Sequence, residues 1–169
     1  MTSWKRGMRV AALDESGKML RKISIPAVFD TGPESVVDDI VKTIKDVREA
    51  LKDMQPPITV EFSNDCKGAL ARLREPTPVF PRLIFLDFNL PGSDSREFLR
   101  IAKEDAELRL IPITVFTASD AERDIRQAYE LHANCYLRKP VDLEEFFGTI
   151  RAAAHFWLDV AYIPGRGGK

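Results

Sequence analysis

The chain has 169 residues, 44% of them hydrophobic and 30% charged, with a formal net charge of -1. That balance fits one globular domain with a sound core, and a near-neutral surface with no basic stripe argues against nucleic-acid binding. The apolar runs are far short of a membrane span, no signal-peptide pattern opens the chain, and the two cysteines make neither a disulfide framework nor a metal cluster, so a reduced, cytoplasmic protein is expected.

Met8–Leu13 and Met19–Ile25, separated by Asp14-Glu15-Ser16-Gly17-Lys18, read as a β-hairpin with a Gly-containing turn. Val36, Val37, Ile40, Val41, Ile44, Val47, Leu51 and Met54 then recur at helical spacing, with Thr31 and Glu34 spaced as a capping box. From Pro57 onward, strands and helices alternate in the manner of a parallel α/β sheet. Ile58–Phe62 reads as a strand, Asp65–Arg74 as a short helix, and Glu75–Pro81 as a proline-rich loop that cannot be helical. Leu83–Leu86 is a buried strand, followed by a helix near Asp94–Asp105, a strand at Ile113–Phe116, a helix near Asp120–Leu131 and a strand at Asn134–Leu137. The last helix starts near Asp142 and runs to about Val160. Its Leu143, Phe146, Phe147, Ile150, Ala153, Ala154 and Trp157 fall at helical spacing, and the tail Gly165–Lys169 should be frayed.

Three strand ends carry chemistry. The run Leu83-Ile84-Phe85-Leu86 ends on Asp87, Ile113–Phe116 ends on Thr117, and Cys135-Tyr136-Leu137-Arg138 ends on Lys139-Pro140. Open α/β sheets place ligand sites at the carboxyl ends of their strands. Each residue alone has a plainer reading: Asp87 as a helix cap or turn former, Thr117 as a cap because Ser119-Asp120 follow, Lys139 as part of a loop. A carboxylate, a hydroxyl and an ammonium in that order and spacing are far more specific together than singly.

That trio resembles the receiver domain of two-component response regulators over roughly Ile58 to Leu158. The segment Leu131-His132-Ala133-Asn134-Cys135-Tyr136 and the pair Phe156-Trp157 are most similar to small stand-alone phytochrome-associated response regulators. The resemblance implies a doubly wound, flavodoxin-like fold: a five-stranded parallel sheet flanked by helices. It implies Asp87 as phosphoacceptor, Lys139 and Thr117 as phosphoryl partners, Thr117 and Tyr136 as the switch pair, and Mg²⁺ as cofactor. The metal would be held by Asp87, the backbone carbonyl of Asn89 and an acidic pair at the end of the first strand. For that pair Asp38-Asp39 has the right distance before Ile58, but Glu34-Ser35-Val36-Val37 makes a poor strand. Asp14-Glu15 follows a better strand and needs a long insertion, while Asp30 follows Ala27-Val28-Phe29 and stands alone.

Receivers open on one strand, not a hairpin, so residues 1–33 are set apart as an atypical extension, 34–160 as the receiver and 161–169 as a flexible tail. The expected function is a single-domain response regulator that takes a phosphoryl group from a sensor histidine kinase of the phytochrome type. Such a protein is a signalling phosphoacceptor and not a turnover enzyme. Output would pass to a downstream protein, with homodimerisation through the last helices and strand using Phe156, Trp157 and Tyr162. Core packing is the plainer reading of those aromatics. The rival is a pseudo-receiver that binds partners constitutively. A metabolic hydrolase on the same fold lacks a Gly-rich phosphate loop or a Ser–His pair. His132 and His155 read as surface or packing residues, and Cys66 and Cys135 as small buried ones.

Overall fold

The computed structural model describes residues 21–26, 44–55, 57–63, 66–75, 80–88 and 95–164. Strand β1 is Arg21–Pro26, helix α1 covers residues 44–51, β2 is Ile58–Ser63 and α2 is Cys66–Leu73. They are followed by β3 (Leu83–Leu86), α3 (Ser95–Glu104), a 3₁₀ turn (Leu108–Leu110) and β4 (Ile113–Thr117). The chain continues through α4 (Glu122–Glu130), β5 (Cys135–Arg138) and α5 (Leu143–His155), which runs into a π turn at Phe156–Val160. Among the described residues all pairings are parallel, in the order β2-β1-β3-β4-β5. The strand order reverses between β1 and β3, which opens a crevice beyond the carboxyl ends of those strands. No helix among the described residues is long and apolar enough to cross a membrane.

The period-2 geometry of the strands divides the core in two. Leu83 and Phe85 of β3 face one way with Phe116 of β4; they meet Val47, Ala50 and Leu51 of α1 and Phe146, Ile150 and Ala154 of α5. Ile84 and Leu86 face the other way with Ile113 and Val115, against α2, against Phe98, Leu99 and Ala102 of α3, and against Ala128 of α4. All four residues of β3 are buried, as a strand covered on both faces must be. Each such Leu, Ile or Phe contributes about 1.5–3 kcal/mol through removal from water. Local chemistry sets the ends: Asp142 caps α5 by accepting a hydrogen bond from the Glu145 N–H at 2.9 Å. At the far end of α4, His132 takes a left-handed φ of 64° and turns the chain toward β5.

The structure alters the reading of the first third. Met19–Ile25 was expected as the second arm of a hairpin, yet Arg21–Pro26 pairs in parallel with Ile58–Ser63 on one edge and with Leu83 and Ile84 on the other. Arg21–Pro26 is therefore an inner strand of the parallel sheet. A strand that precedes the boundary drawn at residue 33 thus lies inside the sheet. The first arm, Met8–Leu13, and the tail 165–169 lie outside the described residues. The last helix is not uniformly α-helical: the Ala161 N–H donates to the Phe156 carbonyl at 2.7 Å, an i to i+5 bond that closes the π turn.

Candidate functional site

Register brings the three strand ends together. Leu86 pairs with Val115, and Thr117 pairs with Arg138, so Asp87, Thr117 and Lys139 all stand on the carboxyl edge of β3, β4 and β5. The Lys139 N–H extends the β4–β5 ladder by donating to the Thr117 carbonyl at 2.7 Å. Its ammonium then reaches back across the edge and donates to Asp87 Oδ2 at 2.5 Å. Both side chains are largely shielded, with 23% of Lys139 and 15% of Asp87 exposed, and the ammonium lies 5.7 Å from the centre of the Phe116 ring. Low local dielectric strengthens such a pair, although desolvating the two charges opposes it.

The Thr117 hydroxyl is buried, with no hydrogen-bond partner among the described residues. A buried hydroxyl left unpaired costs about 1–3 kcal/mol, a state Thr117 shares with Ser95 and Thr114; of the three, Thr117 is the one that ends a strand at the carboxyl edge. Tyr136 is half-buried on β5; its hydroxyl donates to the Ser119 carbonyl at 3.0 Å, and its ring meets Phe88 edge-on at 6.5 Å. Burial pushes its phenol up, so it remains a donor at neutral pH.

The metal ligand set is only partly described. Asp87 offers the oxygen chemistry a hard cation takes. Asn89, Asp38, Asp39, Asp30, Asp14 and Glu15 lie outside the described residues, and among those described no three His, Cys, Asp or Glu side chains group as ligands. Neither cysteine forms a disulfide; Cys66 is buried and Cys135 half-buried, its thiol pushed up by burial. His155 Nδ1 lies 3.0 Å from Asp159 Oδ2 on the exposed side of the last helix, away from the strand edge.

Residues that no motif marks also gather here. Arg96 on α3 bonds Asp124 Oδ1 at 3.0 Å and Gln127 Oε1 at 2.6 Å on α4. Ser119, two residues after Thr117, donates to Asp124 Oδ2 at 2.7 Å. That hydroxyl, foremost, holds the buried Asp124 carboxyl below the usual carboxylate range, with Arg123 and Arg96 adding to it. The sole sequence signal was the pairing of an Arg and an Asp on the polar faces of two helices, which is too common to single out.

Residues 35–151 match the response regulator receiver domain family, a stretch that begins after β1 and takes in Asp38-Asp39. Response regulator Rcp1 of Synechocystis sp. is 43% identical over 84 residues, covering 50% of this chain and 57% of that protein. This chain therefore matches little more than half the length of that relative. Among solved structures, the phosphorylated cyanobacterial phytochrome response regulator RcpA superposes with a TM-score of 0.74 at 34% identity, over 86% of this chain and 99% of that one. The Mn²⁺-bound form of Rcp1 follows at 0.72 and 30% identity, over 86% of this chain and 99% of its own. With the family match spanning well over half of the chain, and a parallel sheet bearing Asp87, Thr117 and Lys139 on one edge, this chain belongs to the response regulator receiver domain family.

Proposed function

We propose that the chain is a phosphorylation-switched receiver whose phosphoacceptor is Asp87 and whose donor is a sensor histidine kinase, in keeping with its likeness to a phytochrome response regulator. The observation that carries this reading is the Lys139–Asp87 contact, made across 52 residues of sequence at an edge where the Thr117 hydroxyl is unpaired. A carboxylate oxygen of Asp87 attacks phosphorus, the P–O bond forms as the P–N bond to the donor imidazole breaks, and the leaving imidazole takes up a proton. Such transfers depend on positioning and charge neutralisation more than on proton movement. Lys139 neutralises the incoming oxygens, and the Thr117 hydroxyl donates to one of them. The added charge and acceptor oxygens then bias the loop after Thr117 and the Tyr136 ring, which is how a local modification becomes a new binding face.

Mg²⁺ is the metal we assign, and Asp87, the Asn89 carbonyl and the pair Asp38 and Asp39 would hold it. The family match supports that pair, because it takes in both acids and leaves Asp14, Glu15 and Asp30 outside, whereas β1 ends at Pro26 and favours Asp30 by its place in the chain. Bound there, a divalent cation supplies positive charge against the phosphoryl oxygens. Output is by protein binding, and the exposed Phe156, Val160 and Tyr162 beyond α5 offer a self-association face, whereas Trp157 packs into the core. Phe156→Asp is expected to abolish any concentration-dependent dimer in sedimentation.

Intact mass after incubation with phosphoramidate tests the assignment. A Mg²⁺-dependent adduct that is absent from Asp87→Asn is expected. Loss of the adduct in Asp38→Ala and Asp39→Ala, with Asp30→Ala unaffected, is expected for the acids. A folded protein that takes no phosphoryl group would instead be a pseudo-receiver acting as a constitutive binding module.

A further inference from the structure

The loop between β4 and α4 begins at Thr117 and is held at three points. Ser119 Oγ donates to Asp124 Oδ2 at 2.7 Å and accepts from the Ala121 N–H at 3.3 Å. The Ser119 carbonyl receives the Tyr136 hydroxyl at 3.0 Å. Asp124 is itself fixed from outside the loop, since Arg96 of α3 donates to its other oxygen at 3.0 Å. Arg96 is anchored in turn. It donates to Gln127 Oε1 at 2.6 Å and to the Phe88 carbonyl at 3.4 Å, and its guanidinium lies 4.8 Å over the Phe88 ring. Phe88 follows Asp87 directly and packs edge-on against Tyr136. The contacts therefore close a ring: Asp87's neighbour, Arg96, Asp124, Ser119, Tyr136, and back to Phe88.

Such a ring has a physical consequence. Asp124 is 6% exposed, and its two oxygens are held separately, one by Arg96 with Arg123 at 3.5 Å and the other by the Ser119 hydroxyl, so losing Arg96 or Ser119 leaves one oxygen of a buried carboxylate poorly satisfied. Arg96 presents its donors as a planar fork that a lysine could not reproduce. The loop that must meet the phosphoryl oxygens through Thr117 is thus fastened to α3 and α4 before any phosphoryl group arrives.

We propose that Arg96 and Asp124 are positioning residues: together they fix the loop after Thr117 and, through Ser119, hold the Tyr136 ring inward against Phe88. This rests on the phosphoacceptor reading of Asp87, and it names two residues that act on that site without touching it. Losing the clamp frees the loop, so Asp87 takes up phosphate more slowly although its own contacts are intact.

The test uses the full chain labelled with 3-fluorotyrosine, whose three tyrosine resonances are assigned with Tyr136→Phe. Without any phosphodonor, Asp124→Asn and Arg96→Gln are each expected to shift and broaden the Tyr136 resonance and leave those of Tyr129 and Tyr162 in place. With phosphoramidate, each is expected to slow adduct formation about five-fold, the low end of a coupling between sites, and the double variant no further, since the two act as one unit. Ser119→Ala removes a single hydroxyl and should move the same resonance the same way, which keeps the test open if a charged variant fails to fold. An unmoved Tyr136 resonance in folded variants, or single effects that multiply in the double variant, would overturn the clamp. If the wild-type chain takes no phosphoryl group, the phosphoacceptor reading falls separately and the tyrosine resonance still decides the clamp.

Discussion

Two lysines stand at opposite edges of the same sheet, and they meet different oxygens. Lys139, at the carboxyl edge, donates to the carboxylate of Asp87. Lys103, at the amino edge, donates to the Asn134 side-chain oxygen at 2.7 Å, the Ile111 carbonyl at 2.9 Å and the Arg109 carbonyl at 3.3 Å. Asn134 Oδ1 also accepts from the Ile113 N–H at 2.9 Å, where β4 begins, so the cluster ties α3, the 3₁₀ turn, β4 and the start of β5 together. At the amino edge the Lys103 ammonium and the Asn134 oxygen are fully engaged, although the Thr114 hydroxyl of β4 is buried and unpaired among the described residues. The carboxyl edge keeps an unpaired Thr117 hydroxyl and an ion pair that an incoming phosphoryl group would rearrange. A lysine on neutral oxygens reads as architecture; a lysine on a strand-end carboxylate, beside an unsatisfied hydroxyl, is what the proposed reaction site requires.

Exchanging the roles of the two lysines is the most direct way to break that contrast. Lys139→Ala removes the charge that meets the incoming oxygens, and adduct formation at Asp87 should fall about 100-fold, the scale for losing one preorganised donor. Quantitative intact mass against time reads it; a fall of less than three-fold would remove Lys139 from the site. Lys103→Ala should leave that rate within two-fold. Instead it should cost about 2 kcal/mol of stability in urea unfolding, because its acceptors lose a charged donor. If Lys103→Ala slowed phosphorylation as much as Lys139→Ala, the division of the sheet into a structural and a reactive edge would be wrong.

Legibility followed the range of the forces involved. The Leu83–Leu86 run, the caps and the helix periods are local, so the elements from Ile58 onward and the trio Asp87, Thr117 and Lys139 could be read directly. β1 could not. Ile23 and Ile25 alternate with polar residues, which is the pattern of a half-buried hairpin arm, but the partners are Val60 and Phe62 far along the chain, and nothing local encodes that choice. The clamp was hidden for the same reason: Arg96 and Asp124 meet across 28 residues, and each alone is an ordinary charge on a helix face. The π turn left no trace either, because Phe146, Ile150, Ala154 and Leu158 keep a spacing of four straight through it.

The smallest expected effect sharpens the comparison by charge alone. Burial pushes the Lys103 ammonium down to about 8, against an ordinary value of 10.5, despite three oxygens that favour the charged form. With its folded value below its unfolded one, the unfolded chain binds more protons at this position between the two, so stability should rise with pH across that window. Below pH 8 the charged lysine is present in both states and the slope vanishes. Urea midpoints measured from pH 7 to pH 10 should therefore climb modestly in the wild-type chain and stay flat in Lys103→Met. Lys139→Met should retain the climb, since the group responsible sits at the other edge. A climb that survived in Lys103→Met would mean that another group titrates there, and that the three neutral oxygens keep Lys103 charged in spite of its burial.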